Sequence, residues 1–142
     1  MRISERTESY LSVVFDTEAL LIFYLDEPGA AKVQDYLEKV QRNETTGYLN
    51  IVNLTEFAYV LHRRDPELAR EKERNLRAFG LEIVPVLDDG LWRVAADLKT
   101  RHALSLADAF AAATAKVKRA RLATGRDREY KSVGIPLVAL RL

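Results

Sequence analysis

Four carboxylates fall where predicted strands pass into helices, and these are the residues whose positions could support chemistry. Asp16 follows a first strand, Glu56 lies in the first turn after a second, Asp108 lies in the first turn of a later helix, and Asp127 follows a fourth strand. In a parallel α/β sheet the ligand crevice lies outside the carboxyl ends of the strands. If these acids converge, they form a set of oxygen ligands for a divalent cation, which could lower the pKa of a bound water and stabilise charge on a phosphate.

Helix capping explains each of these acids equally well when it is taken alone. The pairs Asn53/Glu56, Ser105/Asp108 and Thr124/Asp127 have the spacing of a capping box, and Asp16 could be an N-cap residue. Acids are also enriched in first helical turns because of the helix dipole. Convergence on one ion and separate capping therefore both stay open.

Hydrophobic periodicity predicts that strands alternate with helices along the chain. Such alternation is typical of βαβ units, which build a mainly parallel sheet covered by helices on both faces. We therefore predict an α/β protein with three layers and a central sheet of four to five strands. The predicted strands are 11–15, 48–52, 81–86, 121–124 and 136–140. The predicted helices begin at Asp16, Pro28, Asn53, Asp65-Pro66, Asp88 or Asp89, and Ser105.

Length and composition predict one folded domain over residues 1–142, with a polar N-terminal segment at 1–11. The chain contains no cysteine, which excludes disulfides and thiolate metal sites and favours a hard cation. The start does not resemble a secretion signal, and the apolar runs are shorter than a membrane span. We therefore expect a cytoplasmic protein with no membrane partner.

Basic residues accumulate beside the last acidic position although the net charge is only +1. Such a patch could bind RNA phosphates with an affinity that depends on salt. Three of these residues could instead complement the C-terminus of a helix, so both interpretations stay open. The candidates for RNA binding are Lys116, Lys118, Arg119, Arg121, Arg126 and Arg128.

Four segments, taken in order, resemble the successive motifs of PIN domains, particularly the small prokaryotic VapC toxins. These segments are VVFDTEALLIFYLDEPGA, NIVNLTEFAYVL, SLADAFAAATAKVKRARLATGRDREY and IPLVAL. The resemblance covers nearly the whole chain, and the combination is much more specific than any single motif.

The resemblance implies a PIN-like fold and a metal-dependent endoribonuclease. It implies that Asp16, Glu56, Asp108 and the more variable Asp127 hold Mg²⁺ or Mn²⁺, which activates water to hydrolyse RNA. It also matches hydroxyl positions to Thr17 and Thr124. Toxins of this kind commonly form homodimers and are inhibited by a cognate antitoxin protein, so both partners are expected here.

One segment departs from the family pattern. The last acidic motif usually reads T-G-D-x-E-F, whereas this chain has Arg126 between Gly125 and Asp127. The extra residue puts the reach of Asp127 toward a metal in question. It also motivates an alternative function, a non-catalytic PIN-like module that binds RNA or a protein.

Overall fold

The central sheet has five parallel strands in the order β3-β2-β1-β4-β5. The computed structural model describes residues 12–140. The expected parallel sheet of four to five strands is confirmed. The strands are β1 Val13–Phe15, β2 Gly47–Asn50, β3 Glu82–Val84, β4 Arg121–Thr124 and β5 Leu137–Ala139.

Helices cover both faces of this sheet. Two separate apolar clusters lie on opposite faces: Val13 and Phe15 belong to the first and Val14 to the second, as the alternation of side chains along a strand requires. Helices α1 to α4 pack into the first cluster, while α5 and α6 pack into the second. The helices are α1 Thr17–Tyr24, α2 Ala30–Gln41, α3 Ile51–His62, α4 Pro66–Ala78, α5 Asp89–Arg101, α6 Leu106–Lys118 and the short α7 Asp127–Tyr130.

Several helix starts have the predicted caps. Asp65 accepts a hydrogen bond from the N–H of Glu67, and Asp88 accepts hydrogen bonds from the N–H groups of Gly90 and Leu91. Separately, a short 3₁₀-helix at Lys131–Val133 follows α7. Within residues 12–140, none of the helices combines the length and the hydropathy that crossing a bilayer requires.

The junction between β2 and α3 differs from the prediction. The strand ends at Asn50 rather than at residue 52, and Asn50 caps α3 by accepting a hydrogen bond from the N–H of Val52 at 2.8 Å. The predicted cap at Asn53 is therefore wrong. The β-branched run favoured a longer strand, but the buried Asn50 side chain also donates to Thr114 at 2.9 Å, which fixes the cap three residues earlier.

Both ends of two other strands also differ from the prediction. Strands β3 and β5 are shorter than predicted, and the predicted start of the first strand lies outside the described residues, as does the polar segment 1–11.

The strand order creates a crevice at the carboxyl end of β1. From β1 the chain adds β2 and β3 on one side and then crosses to add β4 and β5 on the other. A ligand crevice forms at such a reversal, because the connections leave the two neighbouring strand ends in opposite directions. The residues that follow β1 and β4 therefore flank one crevice, together with the first turns of the helices that pack there.

Candidate active site

Asp16 is the innermost acid of the site. It follows the last residue of β1 and caps α1, where its Oδ1 accepts a hydrogen bond from the N–H of Ala19 at 2.8 Å. Its Oδ2 accepts a hydrogen bond from the hydroxyl of Tyr130 at 3.2 Å. Both side chains are fully buried. Capping by Asp16, one of the two interpretations left open by the sequence, is confirmed, but burial and the tyrosine contact go beyond what a cap requires.

The electrostatics of Asp16 show that other acids are close to it. Burial raises the pKa of Asp16 to about 7, and hydrogen bonds from the Thr124 hydroxyl and the Ala19 N–H oppose this increase. The charges of Asp108 and Glu18 raise the pKa further. Asp16 therefore lies close enough to Glu18 of α1 and Asp108 of α6 for their charges to affect its ionisation.

Asp108 and Glu56 face the same cavity, which has a volume of about 400 Å³ and is also lined by Glu18. Ser105 caps α6 as predicted, accepting a hydrogen bond from the N–H of Asp108 at 3.1 Å. The Asp108 side chain is only 10% exposed and interacts with the same Tyr130 hydroxyl that contacts Asp16. Tyr130 thus joins the two aspartates beneath the cavity.

Glu56 lies in the second turn of α3, because the helix begins at Ile51. Its predicted position in the first turn, and the capping box with Asn53, are therefore wrong. Helix capping consequently does not account for Glu56, which is partly buried at the cavity wall.

Buried hydrogen bonds hold the three helices of the site together. The hydroxyl of Thr17 donates to the Asn53 carbonyl at 3.2 Å. The Asn53 amide donates to Thr17 Oγ1 at 3.3 Å and to the Ala107 carbonyl at 3.1 Å. Thr17 therefore positions α1 against α3, and Asn53 connects both to the first turn of α6, one residue before Asp108.

Asp127 and Thr124 are arranged differently from the prediction. Thr124 Oγ1 accepts a hydrogen bond from the N–H of Arg126 at 2.8 Å, so the proposed capping box with Asp127 is wrong. Because of the additional residue, the backbone N–H that donates to Thr124 Oγ1 is that of Arg126 and not that of Asp127. Asp127 begins α7 and lines a neighbouring recess with Glu18 and Arg128, rather than the cavity of Glu56 and Asp108. Its role as a metal ligand stays a prediction.

Arg126 contributes positive charge directly to the acids. Its guanidinium forms an ion pair with Glu18, and its Nη1 lies 3.5 Å from Asp108 Oδ2. Partial burial lowers the pKa of Arg126, but the contact with Glu18 and the charges of the nearby acids outweigh it and raise the pKa above its usual value. The chain therefore contains its own counter-charge for this pocket.

The other basic candidates do not share one location. Lys116, Lys118 and Arg119 lie at the C-terminal end of α6, whereas Asp108 lies at its start. At 1.5 Å per residue, Lys116 and Lys118 lie about 12 to 15 Å from Asp108 along the helix axis. Arg121, at the amino end of β4, contacts the Tyr36 hydroxyl at 3.3 Å. The interpretation of one basic patch beside the acids was therefore wrong for these four, and only Arg126 and Arg128 lie in the acidic segment.

Sequence reasoning missed Glu18 and Tyr130. Glu18 lies two residues after Asp16 in the first turn of α1, so its spacing could have identified it as a fifth acid. Tyr130 occupies the aromatic position of the last motif, but nothing local indicates that its hydroxyl reaches Asp16 across 114 residues of sequence.

The donor chemistry of the pocket suits Mg²⁺ or Mn²⁺, because every acidic donor is a carboxylate oxygen. In their present arrangement, the residues from 12 to 140 include no cluster of three or more acidic or histidine side chains that could hold a metal ion. The carboxylate oxygens are suitable ligands for such an ion. In this structure the guanidinium of Arg126 supplies the positive charge between Glu18 and Asp108.

The chain belongs to the PIN domain family. The family model for the PIN domain matches residues 13–136, which includes all the acids described above. No curated protein sequence gives a significant match.

Solved structures of toxin-antitoxin proteins have similar folds. The chain is 18% identical to a chain of VapBC2 from Rickettsia felis bound to a promoter DNA fragment, with a TM-score of 0.75, covering 90% of this chain and 98% of that one. DNA-bound VapBC from Salmonella typhimurium gives 14% identity, a TM-score of 0.71 and coverage of 92% and 98%. VapC20 from Mycobacterium tuberculosis is a toxin that cleaves the sarcin-ricin loop. It is 16% identical to this chain, with a TM-score of 0.65, covering 92% of this chain and 99% of that one. At these identities the likeness concerns the fold.

Proposed function

We propose that this chain is a divalent-cation-dependent endoribonuclease and the toxin of a VapBC-like toxin-antitoxin pair. The observation that carries this proposal is that Glu56 and Asp108 line one cavity, while Asp16 lies buried close to Asp108. These three acids come from distant segments, and the charge of Asp108 raises the pKa of the buried Asp16. A fold that brings carboxylates this close incurs an electrostatic cost, which a divalent cation removes.

Asp16, Glu56 and Asp108 would hold the cation, with Glu18 at the same cavity wall and Asp127 as a further candidate. A bound Mg²⁺ or Mn²⁺ supplies a water of lowered pKa and neutralises charge that develops on the phosphate. The Tyr130 hydroxyl holds Asp16 Oδ2, and the Ala19 N–H holds Oδ1, so both oxygens are oriented before a ligand arrives. Thr17 and Asn53 keep the helices that carry Glu56 and Asp108 in register.

Single-stranded or loop RNA is the proposed substrate class. The cavity is open to solvent, and a phosphodiester backbone that is not constrained in a duplex can enter such a pocket. Exposed Arg64 lines this cavity and Arg128 lines the neighbouring recess, where they could contact flanking phosphates. The proposed reaction class is consistent with VapC20, a toxin that cleaves the sarcin-ricin loop.

An antitoxin partner is proposed from the similar structures, several of which are toxin-antitoxin complexes. A homodimer and a cytoplasmic location stay predictions from the family resemblance. Co-expression with the product of a neighbouring gene, followed by purification of a complex, would test the antitoxin partner.

Cleavage by metal-free protein and by single-site variants tests the proposed activity. With a fluorescent single-stranded RNA, we expect cleavage to require Mg²⁺ or Mn²⁺ and to fall by about 100-fold or more in both Asp16→Asn and Asp108→Asn. Asp88→Asn is the matched control, because Asp88 is an exposed helix cap that lines a different cavity from Glu56 and Asp108. Full activity in both site variants would refute the mechanism.

The pairing of Arg126 with two acids favours a second candidate, a non-catalytic PIN-like module. Such a module would bind RNA or a protein without cutting RNA. Titration with Mn²⁺ distinguishes the two functions, because the module should show neither metal-dependent cleavage nor stabilisation by the metal.

A further inference from the structure

Arg126 lies in the additional position that distinguishes the last acidic motif of this chain. Its backbone N–H donates to Thr124 Oγ1, which fixes the turn immediately after β4. Gly125 permits this turn to approach α1 closely: a Cβ atom at Gly125 would lie only 2.6 Å from Ile22 Cδ1 and 3.1 Å from Glu18 Oε1. The backbone therefore directs the Arg126 side chain toward the acids of the crevice.

The guanidinium group of Arg126 bridges two carboxylates from different elements. It pairs with Glu18 of α1 and approaches Asp108 of α6 at 3.5 Å. The side chains of Glu18 and Asp108 are only 17% and 10% exposed, so water screens these charges weakly. The Arg126 side chain itself is 48% exposed, which leaves it a route into solvent.

A divalent cation bound by Asp108 would meet this guanidinium at close range. Two cations that share one carboxylate repel each other, and the repulsion is strongest where the site is shielded from water. Arg64 also lines the cavity but is exposed at its rim and forms no ion pair within residues 12–140. Arg126 is therefore the cation that competes directly for the acids.

We propose that Arg126 is an internal counter-ion of the acidic pocket, which stabilises the metal-free protein and leaves the carboxylates when a divalent cation binds. The arginine thereby sets a threshold concentration of metal for activity. This inference rests on the proposed metal-dependent function, since it concerns the regulation of the same site.

Direct measurement of Mn²⁺ binding tests the inference without recourse to activity. By titration calorimetry, we expect Arg126→Gln to bind Mn²⁺ with an affinity on the order of tenfold higher than the unmodified chain. Arg93→Gln is the matched control, because it removes the same charge from a side chain that also forms an ion pair, with Asp89, but on the exposed surface of α5. Its affinity for Mn²⁺ should stay within about twofold of the unmodified chain.

Thermal unfolding supplies a second, independent measurement. In EDTA, Arg126→Gln should melt at a lower temperature than the unmodified chain, because its carboxylates have lost their counter-ion. Saturating Mn²⁺ should close or reverse this difference. A purely structural role of Arg126 would leave the same difference with and without metal, which would overturn the proposal. If the glutamine variant does not fold, Arg126→Lys should show the same trend with a smaller change, since a lysine cannot bridge both carboxylates.

The outcomes separate this inference from the proposed function. If Asp108→Asn weakens Mn²⁺ binding but Arg126→Gln does not strengthen it, only the counter-ion proposal fails. If the unmodified chain and Arg126→Gln both fail to bind Mn²⁺, the metal-dependent function fails together with it.

Discussion

Replacing Asp16 with asparagine should stabilise the metal-free protein at neutral pH while abolishing its proposed activity. Asp16 ionises with a pKa of 3.8 in an unperturbed environment and of about 7 in the folded protein, mainly because it is buried. Between these values the folded protein retains a proton that the unfolded chain has lost. The free energy of unfolding should therefore fall as the pH rises from about 4 to about 7.

The size of this effect follows from the pKa difference. One pKa unit corresponds to about 1.36 kcal/mol, so a pKa difference of about 3 between the folded and unfolded states lowers the free energy of unfolding by about 4 kcal/mol once Asp16 is ionised. Asparagine does not ionise, and it caps helices as well as aspartate does, so its carbonyl can accept from Ala19 in place of Oδ1. The stability of Asp16→Asn relative to the unmodified chain should therefore rise by about 4 kcal/mol between pH 4 and pH 8.

Urea unfolding in EDTA, followed by circular dichroism across this pH range, measures the effect. Asp88→Asn serves as the control for loss of a capping aspartate, because Asp88 caps α5 at an exposed position. Parallel stability curves for Asp16→Asn and the unmodified chain would show that the Asp16 carboxylate is not destabilised by the fold. The electrostatic argument for a cation site would then be refuted.

Two further changes separate the roles of the remaining groups. Asp127→Asn should reduce metal-dependent cleavage by less than about tenfold, because Asp127 lines the recess beside the cavity; a loss as large as that of Asp108→Asn in the same RNA assay would contradict this placement. Asn53→Ala should lower the free energy of unfolding by about 2 kcal/mol in urea, because it removes two buried hydrogen bonds and leaves the Ala107 carbonyl without that donor. An unchanged midpoint would show that the link between α3 and α6 does not contribute to stability.

The correct sequence predictions rested on signals that extend over a few residues. Asp65, Asp88 and Ser105 cap the helices they were expected to cap, since a cap depends on a side chain and an amide two or three residues away. The wrong prediction at Asn53 has the same origin. The sequence prediction considered only Asn53, whereas Asn50 caps the helix and is held in place by its contact with Thr114, 64 residues away.

The basic residues show a second limit of sequence reasoning. Lys116 and Arg126 are only ten residues apart in sequence. They lie at opposite ends of the sheet layer, because the chain reverses direction after α6 and returns along β4. Lys116 lies at the C-terminal end of α6, whereas Arg126 follows the carboxyl end of β4 beside the acids. Proximity in sequence therefore gave the wrong picture of charge distribution.

The sequence by itself determined the alternation of strands and helices, the parallel class of the sheet and the presence of acids at the ends of strands. These features follow from hydrophobic periodicity and local hydrogen bonding, which act within one element. Only the tertiary structure decided that Asp16 and Asp108 share the Tyr130 hydroxyl, that Glu18 joins them, and that Arg126 turns inward. Such contacts depend on how separate elements pack against one another, and the electrostatic interactions that define the site exist only at those short distances.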